Sequence, residues 1–247
     1  MSTPQLKREQ LAFREAEIAA AISAMQAVHA NRSLPSSRPE GRHLATFAHR
    51  IDMARLVVAG HSYGATGALQ FLARSEGPLP AAAIVLDPGK HSGPLNTRIR
   101  VPILVVHSDS WSRAHTPFFG RPHFDTVRHL AAHVLAATGA AWFLTSRATS
   151  HPSVTDAPLL QPLLLSWTTG AGLDTKAALS EYVAVSHDFI RLLANDPPRG
   201  VLAQPVTHVA YDQWVDAERQ KSYPADLASK WQVHVSPASL DKHAGLD

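Results

Sequence analysis

The sequence predicts an α/β fold, a parallel sheet with helices on both faces, and three observations carry that reading. Short, continuous apolar runs of the kind buried on both faces of a parallel sheet recur along the first 151 residues. Stretches with helical spacing lie between them, which is the alternation that builds parallel sheets with right-handed crossovers. The first of these runs also passes into an Ala-rich helical pattern through a serine held between two glycines, in "RLVVAGHSYGATGALQFLARS". At 247 residues and 45% hydrophobic composition the chain is long enough for one sizeable core.

Taken in order, residues 5–30 read as an amphipathic helix, with Leu11, Ile18, Ile22 and Met25 on one face and Leu6 and Val28 extending it. A polar Pro/Ser/Gly loop, 31–42, precedes a shorter helical stretch, "HLATFAHRIDMA". Leu56-Val57-Val58-Ala59 is the first strand, and a helix follows from about Ala65 to Ala73. Three more strand-like runs come at 81–89, 101–109 and 140–151, with a crossover helix at 124–138 between the last two. Beyond His151 the segment "DAPLLQPLLLSWTTG" is apolar but interrupted by Pro158 and Pro162, and 175–195 is again an amphipathic helix. The expected organisation is a domain over 1–195 and a C-terminal extension, 196–247, that is partly irregular and shows no clear period.

Composition narrows the function classes. The net charge is +3, with a pI near 9.4, but Lys and Arg are scattered, so no phosphate-tracking stripe supports a nucleic-acid partner. There is no cysteine, hence no disulfide framework and no thiolate metal site. "MSTPQLKREQLAFREAE" is polar where a secretory signal needs an apolar centre, so the chain as written is expected in the cytoplasm, with secretion left to a signal on any missing front segment.

Gly60-His61-Ser62-Tyr63-Gly64 follows G-x-S-x-G, in which the serine sits on a sharp strand-to-helix turn and the following helix aims its N-terminal N–H groups at a developing oxyanion. A serine hydroxyl is a weak nucleophile and needs a base, and the base needs a third group to hold its tautomer. In α/β hydrolases these follow in the order serine, acid, histidine. Asp87, in "IVLDPG", and Asp109, in "LVVHSDS", both follow strand ends and are both candidate acids; His151 follows the last core strand and is the candidate base. His107, His115, His123, His129 and His133 are expected to be core or solvated histidines. His129 and His133 share a helix face, yet lack the glutamate of H-E-x-x-H, so neither a metal site nor a cofactor is expected.

With these residues assembled, the chain resembles the platelet-activating factor acetylhydrolase family, in its plasma and intracellular type II branch, within the α/β hydrolases. "VVAGHSYGATGALQFL" is similar to the family's nucleophile region, "IVLDPG" to its acid motif and "SHPSVTDAPLL" to its histidine segment, with similarity running from about residue 5 to 195. The resemblance implies Ser62 as nucleophile, Asp87 rather than Asp109 as acid and His151 as base. It implies calcium-independent hydrolysis of the short sn-2 acyl ester of phospholipids. Gly89 departs from it, standing where the family often has an aromatic residue, as do Tyr63 for Phe and Pro152 and Ser153 beside the histidine. Leu159, Leu160, Leu163, Leu164, Leu165 and Trp167 would pack a helix on the sheet, line an acyl pocket or touch a lipid surface, and Phe118 and Phe119 share that ambiguity.

The run-up to Ser62 is short for such a fold, so the N-terminal strands are expected to be missing. The oxyanion hole would then keep the N–H of Tyr63 and lack its second donor, a loss of about 100- to 1000-fold in turnover. Two other readings follow: a catalytically impaired hydrolase-like fragment that binds a lipid or partner, and a general carboxylesterase.

Overall fold

The computed structural model describes residues 3–35, 38–73, 79–160 and 174–239. Its centre is a five-stranded sheet made of β1 (Val57–His61), β2 (Ala82–Leu86), β3 (Ile103–Ser108), β6 (Ala141–Ser146) and β9 (Trp231–Val235), in the order β1-β2-β3-β6-β9. The first four strands are parallel, and β9 runs antiparallel to β6 with a register shift at Phe143 and Leu144. Two short hairpins, β4 (Pro117–Phe118) with β5 (Arg121–Pro122) and β7 (His208–Ala210) with β8 (Gln213–Trp214), stand apart from it.

Alternation along each strand divides the core in two. Ala83, Val85, Ile103, Val105, Ala141 and Phe143 face one layer, formed by α2 (Tyr63–Phe71) and α4 (His123–Thr138). Their neighbours Ala82, Ile84, Leu104, Val106, Trp142 and Leu144 face the other, where α6 (Thr175–Leu192) packs through Tyr182, Val185 and Phe189. Both faces are therefore covered, which is why these strands read as unbroken apolar runs. Helix ends follow their local chemistry. Asp174 caps α6 by accepting from the N–H groups of Lys176 and Ala177, and Gly139 ends α4 in the left-handed conformation.

Three segments differ from the sequence-based expectation. α1 (Thr3–His29) forms, but buries only Leu11, Ala27 and Val28 fully, while Met25 and Leu6 are exposed. It lies along α2, where a β-carbon at Gly67 would stand 3.2 Å from that of Arg14, so the contact is a narrow stripe rather than a broad face. The stretch expected as a short α-helix is instead a 3₁₀ helix at Pro39–Phe47 and a second at Met53–Arg55, with i to i+3 bonds such as Ala48 N–H to Ala45 O at 3.2 Å. Over residues 196–239 the chain forms more regular structure than its lack of period implied: β9 is wholly buried and completes the sheet. Its intervening polar residues are bonded inside, His234 to Thr145 at 2.8 Å and Gln232 to Asp212 at 2.6 Å. In the apolar segment after His151, Leu159 and Leu160 lie exposed on α5 (Ala157–Leu160), while Leu163, Leu164, Leu165 and Trp167 lie outside the described residues. No helix among the described residues is long and apolar enough to cross a membrane.

Candidate active site

The turn at Ser62 follows from two constraints. β1 runs so close to the start of α2 that a β-carbon on Gly60 would overlap the Gly64 carbonyl, and this excludes any larger residue there. Ser62 itself adopts φ 57°, ψ −121°, a region that costs a residue with a side chain about 1–3 kcal/mol. The surrounding ladder holds it there, with the Ser62 N–H donating to Leu86 O at 2.9 Å. Its Oγ is thereby lifted out of the sheet at the N-terminus of α2, beside the first helical residue, Tyr63.

Asp87 directly follows β2, also at positive φ (46°), and is buried. One carboxylate oxygen accepts from the Ser108 N–H at 2.6 Å and the other from the Ser108 hydroxyl at 2.7 Å, so the adjacent strand end holds the carboxylate in one orientation. His151 opens a 3₁₀ turn, His151–Val154, which Ser150 and Ser153 cap reciprocally, and its own N–H donates to Ser110 Oγ at 3.2 Å.

The three side chains meet in one line. His151 Nδ1 lies 2.9 Å from Asp87 Oδ2, and His151 Nε2 lies 2.9 Å from Ser62 Oγ. In the neutral imidazole this assigns the proton to Nδ1, donating to the carboxylate, and leaves Nε2 to accept the Ser62 hydroxyl proton. Asp109 is not part of the line. As first residue of α3 (Asp109–Arg113) it takes the Arg113 guanidinium on Oδ2 at 2.5 Å and the Tyr211 hydroxyl on Oδ1 at 2.8 Å, and burial together with this bond raises the Tyr211 pKa to about 12.

Two rings flank the His151 imidazole. The Trp111 indole stacks on it at 4.0 Å between centroids and 12° between planes, and His61 lies at 4.4 Å, tilted by 38°. The indole N–H donates to Pro88 O at 3.1 Å, which locks the ring in place. The Lys90 ammonium sits 4.4 Å from the indole centroid and donates to Trp111 O at 2.9 Å; burial lowers its pKa. Burial, then the neighbouring His151, lowers the pKa of His61. Gly89 has no room for a side chain, because a β-carbon there would overlap the Ser92 hydroxyl, and its N–H donates to Thr66 Oγ1 at 3.0 Å. That bond ties the Asp87 loop to α2. Trp111 and Lys90 do not announce themselves in sequence as neighbours of the imidazole, since α3 and the loop after β2 bring them there, whereas His61 is the last residue of β1, directly before Ser62.

Of the described residues, His61, Asp87 and His151 are the group with metal-ligating atoms all within 4.8 Å of one another. Both nitrogens of His151 already engage Ser62 and Asp87, an arrangement with the geometry of a proton relay. His115, His129 and His133 are exposed, whereas His107 and His123 are buried, stacked at 5.5 Å and 17°.

A hydroxyl, an imidazole and a buried carboxylate in this order are equipped to make an alkoxide equivalent and to return its proton to a leaving group. No curated protein sequence matches the chain. A family model does match, that of platelet-activating factor acetylhydrolase, isoform II, over residues 2–194, a span that contains the serine turn, Asp87 and His151, and the chain belongs to that family.

Proposed function

We propose that the chain is a calcium-independent serine esterase that hydrolyses a short sn-2 acyl ester of phospholipids, with Ser62 as nucleophile, His151 as base and then acid, and Asp87 as the orienting carboxylate. The observation that carries this reading is the continuous hydrogen-bonded line from Ser62 Oγ through His151 to Asp87, at 2.9 Å on each side. Ser62 Oγ attacks the ester carbonyl as its proton passes to His151 Nε2. The oxyanion forms against the Tyr63 N–H at the positive end of α2. Collapse breaks the bond to the alcohol oxygen, which takes the proton from His151 and leaves the acyl group on Ser62. Water, deprotonated by the same nitrogen, then releases the acid and restores the hydroxyl.

Hydrolysis of an sn-2 acetyl phospholipid in the presence of a chelator tests this, together with labelling by an organophosphonate. The folded chain is expected to turn over and to take one label, on Ser62, and Ser62→Ala is expected to lose both. Turnover that survives in Ser62→Ala would reject the assignment. Preference for simple aryl esters over the phospholipid would favour the general carboxylesterase, and lipid binding without turnover the impaired module.

Trp111 is a positioning residue in this scheme. Its face stabilises the imidazolium that forms during proton transfer, a cation–π contribution of about 0.5–2 kcal/mol. Trp111→Ala is therefore expected to lower kcat roughly tenfold with KM within a few-fold of the parent. Trp111→Phe should restore most of that loss. A role confined to packing would lower the amount of folded protein and leave kcat per folded molecule unchanged.

A further inference from the structure

Three side chains able to ligate a metal meet beside Ser62, and each comes from a different part of the fold: His61 from the end of β1, Asp87 from the loop after β2 and His151 from the 3₁₀ turn after β6. A nitrogen of each imidazole and a carboxylate oxygen lie within 4.8 Å of one another. The closest pair is His151 Nδ1 and Asp87 Oδ2, 2.9 Å apart and joined by one proton. His61 stands outside that relay. Its Nε2 is shut away from water and has no hydrogen-bond partner among the described residues. Buried polar atoms are ordinarily bonded, and a neutral imidazole can place its lone pair on this atom, so the nitrogen stands out as an unused ligand.

The donor set selects the ion. Two imidazoles and one carboxylate suit zinc, which binds nitrogen at about 2.0–2.1 Å and carboxylate oxygen at about 2.0–2.2 Å and leaves a fourth tetrahedral position to water. Calcium and magnesium take oxygen ligands, and more of them. Tetrahedral coordination needs ligand atoms about 3.3 Å apart, so His61 has to close in by no more than about 1.5 Å. β1 is the outer strand of the sheet and His61 is half-buried, so no further strand among the described residues restrains that movement. The His151 side chain is 29% exposed, which opens the pair to an ion from solvent.

We propose that this cluster is an inhibitory zinc site, with the ion held by His61, Asp87 Oδ2 and His151 Nδ1 in place of the Nδ1 proton. The displaced proton moves to Nε2, so the imidazole stays neutral and no proton leaves the ring. Nε2 then donates to Ser62 Oγ and has no lone pair with which to accept its proton, so the hydroxyl is not activated. Proton and metal are alternative occupants of one site, and a chelator restores the first. The inhibition rests on the esterase reading; the binding does not.

The test titrates zinc chloride, with free zinc set by a nitrilotriacetate buffer, against ester turnover by the full 247-residue chain. Turnover is expected to fall along a single-site curve and to return with excess EDTA, while calcium at the same concentrations leaves it unchanged. His61→Phe keeps a ring beside His151 and removes a ligand. Measured against its own zinc-free rate, it should need roughly tenfold more zinc or beyond for half-inhibition, since losing even an outer-shell partner costs a metal site that much. His129 and His133, exposed on one face of α4, are the competing zinc pair, and His129→Gln/His133→Gln should be inhibited like the parent. Calorimetry on Ser62→Ala carrying that double substitution reads binding without turnover: zinc should bind one to one, and adding His61→Phe should weaken it by the same factor. Thermal melts establish that each variant is folded. Equal inhibition of His61→Phe, relief by the His129 and His133 substitutions, matching inhibition by calcium, or no zinc bound to the folded Ser62→Ala protein would overturn the inference. Zinc bound in this way by a chain that turns over no ester would reject the esterase reading and leave the zinc site standing.

Discussion

Asp87→Asn is expected to lower kcat on any ester the chain hydrolyses by roughly 10⁴-fold, the scale on which removing the orienting acid acts in such a triad. The carboxylate accepts three hydrogen bonds, two from Ser108 and one from His151 Nδ1. An amide retains one acceptor oxygen, and that oxygen can keep the Ser108 N–H. Its NH2 group then faces His151 Nδ1, which must accept instead of donate. The imidazole proton moves to Nε2, the atom that has to receive the Ser62 proton, and the base is lost while packing is nearly unchanged. Asp109→Asn provides the contrast. Asp109 answers to Arg113 and Tyr211, so turnover should stay within a few-fold of the parent. Steady-state kinetics on both variants checks the pair, and comparable losses in the two would remove Asp87 from its assigned role.

The second large effect is acid instability. Burial lowers the pKa of His123 to about 4, helped by the Lys90 charge, that of His208 to about 4, and that of His234 to about 3. His107, fully buried, is held well below its ordinary value for the same reason. These groups are neutral in the fold, and two of them are bonded as neutral rings: His234 Nε2 meets Thr145 Oγ1 at 2.8 Å, and Thr145 meets Ser112 at 2.7 Å, which reaches His107 Nδ1 at 3.3 Å. In the unfolded chain each would titrate near 6.5. Below that pH the unfolded state binds more protons than the native state, so stability falls as pH falls, from about 6.5 down to about 4. Each such histidine contributes up to about 1.4 kcal/mol per pH unit. Against a typical total of about 5–15 kcal/mol, three or four of them acting together should lower Tm by roughly 10 °C or more between pH 7 and pH 5. His123→Phe should flatten that dependence. A Tm that is level across this range in calorimetry would contradict the neutral buried cluster.

Much of this was legible because the signals are local. Unbroken apolar runs mark strands covered on both sides, and the pattern from Leu56 through Ala73 places Ser62 between strand and helix. Chain order was enough to nominate His151 from 15 histidines. Strand ends alone left Asp87 and Asp109 both open and the resemblance of "IVLDPG" favoured Asp87; in the structure the register of β2 beside β3 aims the Asp87 carboxylate at the Ser108 backbone, while Asp109 turns to α3 and Arg113. β9 was missed because "WQVHV" is short and places Gln232 and His234 inside, where hydrogen bonds replace apolar burial.

The sequence by itself therefore determined the class of fold and the serine turn, and nominated the candidate acids and base, because periodicity and a sterically demanding turn are properties of neighbouring residues. The tertiary structure alone shows which partner each of the two carboxylates meets, His151 for Asp87 and Arg113 for Asp109, together with the Trp111 and His61 rings around the imidazole and the buried histidines. Each of these depends on side chains from separate elements converging in space, and their distances follow from sheet register and layer packing, which no window of sequence contains.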